Sequence, residues 1–170
     1  MDKIKIIEVS DENLISVVET LAYSIWRQHY TPIIGRKQVE YMLDKFQSRQ
    51  AIFNQIKEGY LYYLIKDETG DWIGYIGVIP KEKELFLSKL YVNYENRGKG
   101  YGRQAIEFIE KIAREKGLSK IALTVNKNNT NSIQAYKKFG FVIACPIVQD
   151  IGNGFVMDDY RMEKFVGSLL

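Results

Sequence analysis

Apolar and charged positions alternate along residues 3–9, where Ile4, Ile6, Ile7 and Val9 are interleaved with lysine and glutamate, and that two-residue period predicts a half-buried or edge strand. The period then lengthens. Leu14, Val17, Val18, Leu21 and Ile25 recur at i, i+3, i+4, i+7 and i+11, one face of a helix that Ser10 is placed to cap and that should end near His29, ahead of the break at Pro32. Gly35 opens a second helical region, with Val39, Leu43 and Phe46 in one stripe, Phe53 and Ile56 in another, and Ser48 dividing two helices. Gly59 stops that pattern. Residues 60–66 are aromatic and β-branched enough for a strand, residues 67–71 supply turn chemistry, and residues 72–81 resume as the second arm of an antiparallel hairpin.

A charged turn at residues 81–84 leads into a third strand, carried by Leu85, Phe86, Leu87, Leu90, Tyr91 and Val92, so three consecutive strands form a meander. Residues 100–116 return to helical spacing, with Ala105, Ile109, Ile112 and Ala113 inward and Gly117 as a left-handed stop. The short strand at residues 121–125 follows a strand–helix passage, which requires it to run parallel to the strand before the helix. Residues 126–131 are polar and rich in asparagine, residues 132–139 form a short helix stopped by Gly140, and residues 141–149 and 155–165 are strands joined through the turn Gly152-Asn153-Gly154. The class is α+β, a mixed sheet covered by helices, and the absence of a linker or an internal repeat predicts one domain over residues 1–170.

Composition narrows the function without naming it. The chain has 46% hydrophobic and 26% charged residues, which excludes disorder, and a net charge of +3 spread over interleaved cations and anions, which argues against a nucleic-acid partner. Cys145 is the single cysteine, so there is no disulfide framework and no cysteine-based metal site, and no metal is expected. The charged N-terminus lacks an apolar targeting core and no window has the roughly 20 apolar residues of a membrane span. The expected setting is cytoplasmic, without a membrane partner. Edge strands in the C-terminal hairpin would allow a homodimer.

The chemistry concentrates between the third strand and the helix that follows it, at Arg97-Gly98-Lys99-Gly100-Tyr101-Gly102-Arg103. Glycines allow backbone N–H groups to turn toward a ligand, and a helix N-terminus adds about half a positive charge, so this passage is a phosphate cradle. A magnesium-assisted nucleotide loop needs Ser or Thr after Gly-Lys, but Gly100 follows Lys99. A dinucleotide fingerprint places glycine where Arg103 stands and an acidic residue about 20 positions on, and neither is present. The pattern that is met is Arg/Gln-x-x-Gly-x-Gly/Ala, through Arg97, Gly100 and Gly102, and it resembles the acetyl-coenzyme A loop of the GNAT superfamily of acyltransferases. Leu90-Tyr91-Val92 resembles the family's strand into the loop, and Asn129 with Tyr136-Lys137-Lys138-Phe139-Gly140-Phe141 resembles its downstream segment. The likeness is specific over about residues 85–143.

That resemblance implies a mostly antiparallel mixed sheet with helices on both faces and a central strand–loop–helix site for coenzyme A. Leu90, Tyr91 and Val92 would contact the acetyl and pantetheine arm through their backbone; Arg97, Gly98, Lys99, Gly100, Tyr101, Gly102 and Arg103 would hold the pyrophosphate; and Asn129 would bond the pantetheine or the loop, unless it is a turn or helix-capping asparagine. Tyr136 is implied as general acid for the departing thiolate. A phenol near pKa 10 lies within about two units of a thiol near 8.5. The alternative is an aromatic packed on its helix.

The activity so implied is acetyl transfer from acetyl-CoA, a co-substrate, to a primary amine by direct attack in a ternary complex. Cys145 lies in an apolar run without activating cations, which disfavours a thiol intermediate. Neutralising an amine of pKa near 10.4 at pH 7 costs about 4.6 kcal/mol, so a base is needed. Glu84 is one candidate, and a water chain is another. For the acceptor, Trp26, His29 and Tyr30 form a polar-tipped aromatic group, although a lone histidine at a helix end also suits a dipole partner. Asp158 and Asp159 fall on opposite faces of one strand, so one of them can serve a cationic acceptor. The acidic final hairpin leans toward a small polyamine-like substrate. A protein lysine or N-terminal acetyltransferase and a non-catalytic coenzyme A sensor are the competing readings.

Overall fold

The computed structural model describes residues 3–167; Met1 and Asp2, part of the N-terminus expected to lack a targeting core, lie outside the described residues. Two compact units emerge, one built from residues up to Ile79 together with Lys89–Ala105, the other from Pro80–Ser88 together with residues from Ile106 onward.

In the first unit, β1 (Lys5–Glu8) leads to α1 (Glu12–Ile34), α2 (Arg36–Gln47) and α3 (Arg49–Lys57), followed by β2 (Leu61–Lys66) and β3 (Trp72–Pro80). Strands β1 and β2 are antiparallel from Lys5↔Lys66 to Glu8↔Tyr63, and β2 and β3 from Leu61↔Val78 through Leu64↔Tyr75. Val18, Ala22, Leu43, Ile52, Leu64, Ile65 and Ile76 are fully buried, which accounts for the helical and two-residue periods of the chain. Ser48 does divide α2 from α3, its hydroxyl accepting from the Ala51 N–H at 3.2 Å.

Two features of α1 differ from the pattern-based expectation. Asp11, not Ser10, is the N-cap: its backbone is extended and its carboxylate accepts from the Leu14 N–H at 2.8 Å. The helix also runs through Pro32 to Ile34. Pro32 is exposed and near the C-terminus, so the carbonyl its missing N–H leaves behind is open to water, and the stop falls at Gly35, whose φ is 85° and whose N–H donates to Thr31.

In the second unit, the first half of β4 (Glu84–Val92) pairs parallel with β5 (Lys120–Asn126) from Glu84↔Lys120 to Phe86↔Ala122, as the strand–helix–strand argument requires. Strand β7 (Phe155–Phe165) lies antiparallel to β5, and β6 (Val142–Gly152) antiparallel to β7. Helices α4 (Tyr101–Glu115) and α5 (Thr130–Lys138) complete the five helices. Ala113, Ile121, Ala122 and Met162 are fully buried, and α4 ends at Gly117 with φ 70°. The strand order β1-β2-β3-β4-β5-β7-β6 makes a seven-stranded, mostly antiparallel mixed sheet.

One glycine in β3 is required by space. A Cβ at Gly74 would collide with the Tyr91 carbonyl oxygen and lie 3.1 Å from Val92 Cα, both backbone atoms that cannot rotate away. Gly74→Ala should lower the unfolding free energy by about 2 kcal/mol or more, read from the denaturant midpoint. A midpoint within error of the parent would remove the close-approach argument.

Candidate functional site

The first unit carries the loop. Strand β4 ends at Val92, the Asn93 N–H donates to Ile73 at 2.7 Å, and a single 3-10 turn spans Tyr94–Asn96. The Arg97 N–H closes that turn on Tyr94, so it is not free for a ligand, and the donors that remain begin at Gly98. Gly98 and Gly100 have φ of 77° and 82°, the left-handed region that turns successive amides to one side. The first bond of α4 runs from the Gln104 N–H to the Gly100 carbonyl, which leaves Tyr101, Gly102 and Arg103 as the helix's leading N–H groups without a helical acceptor. Lys99 and Arg103 are exposed beside them. This is a fitting cradle for a pyrophosphate. The Arg97 guanidinium folds back instead, donating from Nε to the Val92 carbonyl at 3.2 Å and lying 3.5 Å from His29 Nδ1, so it braces the loop on α1.

The aromatic group forecast at the end of α1 extends further than its three residues. The Tyr30 and Tyr91 hydroxyls are 2.8 Å apart, Trp26 packs 5.6 Å from Tyr30 and 5.5 Å from Tyr91, His29 stands edge-on to Tyr30 at 4.7 Å, and Tyr75 lies 5.5 Å from Tyr91. His29 sits before the last turn of the helix, which removes the dipole-partner reading. The Trp26 indole N–H is buried close to Tyr75 but without an acceptor in hydrogen-bond geometry among the described residues. Lys89 was not anticipated. Its stem lies against the Gly77 backbone, in the same crowded corner as the Tyr62 ring, and burial pushes its ammonium down to about 8. The signal in the chain is a lysine within a strand whose other members from Leu85 to Val92 are apolar except Ser88.

The second unit holds the remaining candidates. Glu84 accepts from Arg161 at 2.6 Å, Arg161 also donates to Glu163 at 2.9 Å, and Lys120 lies 3.9 Å from Glu84 and 3.4 Å from Glu163. Two cations thus hold two carboxylates. Asn129 is buried and accepts from the Ser132 N–H at 3.4 Å, the helix-cap geometry weighed against a ligand role. Tyr136 stands half-buried near the end of α5, edge-on to Phe141 at 5.5 Å. Asp158 and Asp159 do fall on opposite faces: Asp158 is exposed and pairs with Lys127 at 2.8 Å, whereas Asp159 is buried. Desolvation, then the neighbouring Asp158 charge, pushes the Asp159 carboxyl up to about 6 against the pull of Lys127 and a Thr124 hydrogen bond. Cys145 is exposed on β6 opposite Arg161, whose guanidinium is committed to the two glutamates.

A strand, a left-handed glycine loop and a helix N-terminus in this order make a site suited to a pyrophosphate-bearing ligand. The chain belongs to the acetyltransferase (GNAT) family, whose model matches residues 21–141. It is 29% identical over 114 residues to an L-methionine sulfoximine/L-methionine sulfone acetyltransferase of Pseudomonas aeruginosa, a stretch covering 64% of this chain and 66% of that relative, just under two-thirds of its length. In fold it matches the PaiA N-acetyltransferase of Thermoplasma acidophilum solved with coenzyme A, at a TM-score of 0.80 and 23% identity over 96% of this chain and 99% of the other. It also matches the spermidine N-acetyltransferase of Vibrio cholerae solved with CoA and spermine, at a TM-score of 0.69 and 16% identity over 95% of each. The protein is an N-acetyltransferase of the GNAT type, with acetyl-CoA as the acyl source. Among the described residues no helix is long and apolar enough to cross a membrane, and no cluster of three metal-ligating side chains occurs.

The Asp159 shift fixes a pH dependence. Its folded value is raised above the unfolded one near 3.8, so the stability it permits is fully present below about pH 4 and is lost as pH rises through 6. Asp159→Asn should therefore be more stable than the parent at pH 8 by roughly 1–2 kcal/mol after allowance for solvent screening, with the difference vanishing toward pH 4. Thermal unfolding at both pH values checks it; equal gains at both would remove the desolvation account.

Proposed function

We propose that the chain acetylates a small primary amine in one step, with Tyr136 protonating the departing thiolate and the amide groups from Gly98 to Arg103 holding the pyrophosphate of acetyl-CoA. The observation that carries this reading is the loop itself: two left-handed glycines leading into the N-terminus of α4, beside exposed Lys99 and Arg103. Acetyl-CoA supplies an activated thioester. The backbone of Leu90, Tyr91 and Val92 is assigned the pantetheine arm, and Asn129 positions α5 as its cap. Glu84, clamped by Arg161 and Lys120, is poorly placed to take a proton, which leaves Asp159 or a water chain for the acceptor ammonium. The cytoplasm is the proposed place of action.

For the acceptor, two readings compete. A polyamine-like substrate is supported by the acidic final hairpin, and a neighbour in fold is a spermidine enzyme; but Glu163 and Asp158 are occupied by Arg161, Lys120 and Lys127. An amino-acid-like amine is favoured by a specific observation: the aromatic group around Trp26, Tyr30 and Tyr91 comes with a half-buried cation, Lys89, and a buried donor, the Trp26 N–H, which suit a carboxylate or an oxygen acceptor on the substrate. The methionine sulfoximine relative acts on a molecule of that kind.

A thiol-release assay with acetyl-CoA over spermidine, α-amino acids, methionine sulfone and a lysine peptide separates these readings. The highest kcat/KM should fall on an amino acid or its sulfone, and Lys89→Met should raise KM for it at least 10-fold while spermidine is unaffected. Turnover confined to the peptide would favour protein acetylation, and bound acetyl-CoA without any turnover would favour a sensor. Tyr136→Phe should lower kcat by on the order of 10²-fold with acetyl-CoA affinity retained. Cys145→Ala should remain active; an inactive but folded variant would sink direct transfer.

A further inference from the structure

The chain's single histidine, His29, takes no part in the acyl transfer proposed for it, yet its place in the first unit is defined on two sides. On its own helix it stands edge-on to Tyr30 at 4.7 Å; Tyr30 is fixed in turn by its hydroxyl, 2.8 Å from that of Tyr91, and by Trp26, a core residue, at 5.6 Å. That makes a rigid platform. Toward the cofactor loop, His29 Nδ1 lies 3.5 Å from Nη1 of Arg97. A guanidinium has donors and no acceptor, so Nδ1 is the accepting atom and the ring proton sits on Nε2. Arg97 is held elsewhere too: its Nε donates to the Val92 carbonyl at 3.2 Å, its backbone N–H donates to the Tyr94 carbonyl at 3.2 Å, and its guanidinium lies over the Tyr94 ring at 5.5 Å.

We propose that His29 is a positioning residue for the acetyl-CoA loop: it fixes the plane of the Arg97 guanidinium against the end of β4, and Arg97 so held sets the path of the loop before the cofactor arrives. The proposal rests on the reading of Gly98 to Arg103 as the pyrophosphate cradle. Gly98 and Gly100, at φ of 77° and 82°, belong to the residue type that loses most conformational freedom on ordering, and any ordering left until binding is subtracted from affinity. A brace at the loop's entry removes part of that cost in advance. The bond from Nε to Val92 alone would leave the guanidinium to swing about it; a second contact, on His29, fixes the fork at two points. A lysine at position 97 has one compact ammonium and no plane to fix. The loop's charge toward phosphate comes from Lys99 and Arg103, both exposed beside it, so the Arg97 side chain is spent on position.

Calorimetric titration with acetyl-CoA tests this on the full chain and needs no acceptor. His29→Leu removes the accepting atom and should weaken acetyl-CoA binding about 5-fold, the scale of one hydrogen bond to a charged group at a partly exposed site. His29→Asn places an amide oxygen where Nδ1 stood and should bring the affinity back to within about 2-fold of the parent. Arg97→Lys should cost at least as much as His29→Leu, and the double variant should bind no more weakly than Arg97→Lys alone, because both changes delete the same contact. Lys99→Ala with Arg103→Ala reports on the cradle itself and should weaken binding by about 10-fold or more. Unchanged affinity in that pair would sink the cradle reading, whatever His29 does. With the cradle intact, parent affinity in His29→Leu, a loss in His29→Asn equal to that in His29→Leu, or losses that add in the double variant would overturn the role of His29.

Discussion

Everything in the first unit depends on two tyrosine hydroxyls that the core buries. Tyr62 and Tyr75 stack at 6.5 Å with almost no exposure, and a hydroxyl left without a partner there would cost about 1–3 kcal/mol. Gln47, itself fully buried at the end of α2, accepts from Tyr75 at 2.6 Å and donates to Tyr62 at 3.1 Å; Tyr62 donates onward to Gln55, whose amide donates to the Phe46 carbonyl. The chain of bonds joins α2, α3, β2 and β3 at fixed angles. Burial drives the ionisation of both phenols upward, so they stay neutral donors at any physiological pH. From Tyr75 the order passes by ring contact to Tyr91 and so to Tyr30 and Trp26. The aromatic group of Trp26, Tyr30 and Tyr91 is thus the outer end of the core's own polar network, held by packing.

The second unit solves a different electrostatic problem. Its strands bring Glu84, Glu163, Asp158 and Asp159 within a few residues of register, together with Arg161, Lys120 and Lys127. Glu163 is held ionised, chiefly by its hydrogen bond from Arg161 and then by Lys120, whereas Asp159, desolvated and beside Asp158, is raised to about 6 despite Lys127 and a Thr124 hydrogen bond. A row of acids that reads in one dimension as a cation-binding surface is therefore mostly an internal salt-bridge lattice. Only its one buried, under-compensated member has chemistry to spare.

Local rules carried the fold because they were local. Glycine stops, the helical stripes and the parallel strand forced by a strand–helix–strand passage depend on near neighbours, and they stand in the structure at Gly117 and the Glu84↔Lys120 register. The shifted cap from Ser10 to Asp11 and the helix running through Pro32 reflect choices between adjacent residues of nearly equal merit, which three-dimensional packing settles. The loop was legible because its glycines and cations are contiguous. What was not legible needed partners far along the chain: Arg161 lies 77 residues from the Glu84 it clamps, and Gln47 lies 28 from Tyr75. The desolvation of Lys89 depends on Gly77 and Tyr62, which no periodicity connects to it.

Both tryptophans of the chain, Trp26 and Trp72, belong to the first unit. Trp26 is 3% exposed among three tyrosine rings, and Trp72 lies under the Lys66 ammonium at 4.2 Å. The second unit has tyrosine and phenylalanine but no tryptophan. Excited at long wavelength, the first unit alone is therefore lit: indole emission reports the aromatic group around Tyr30 and Tyr91 and the β2–β3 hairpin, while the salt-bridge lattice and the β6 edge stay dark. The protein carries its own optical label for the aromatic group of the first unit, and quenching or a spectral shift there separates events in that unit from events in the other without any added dye.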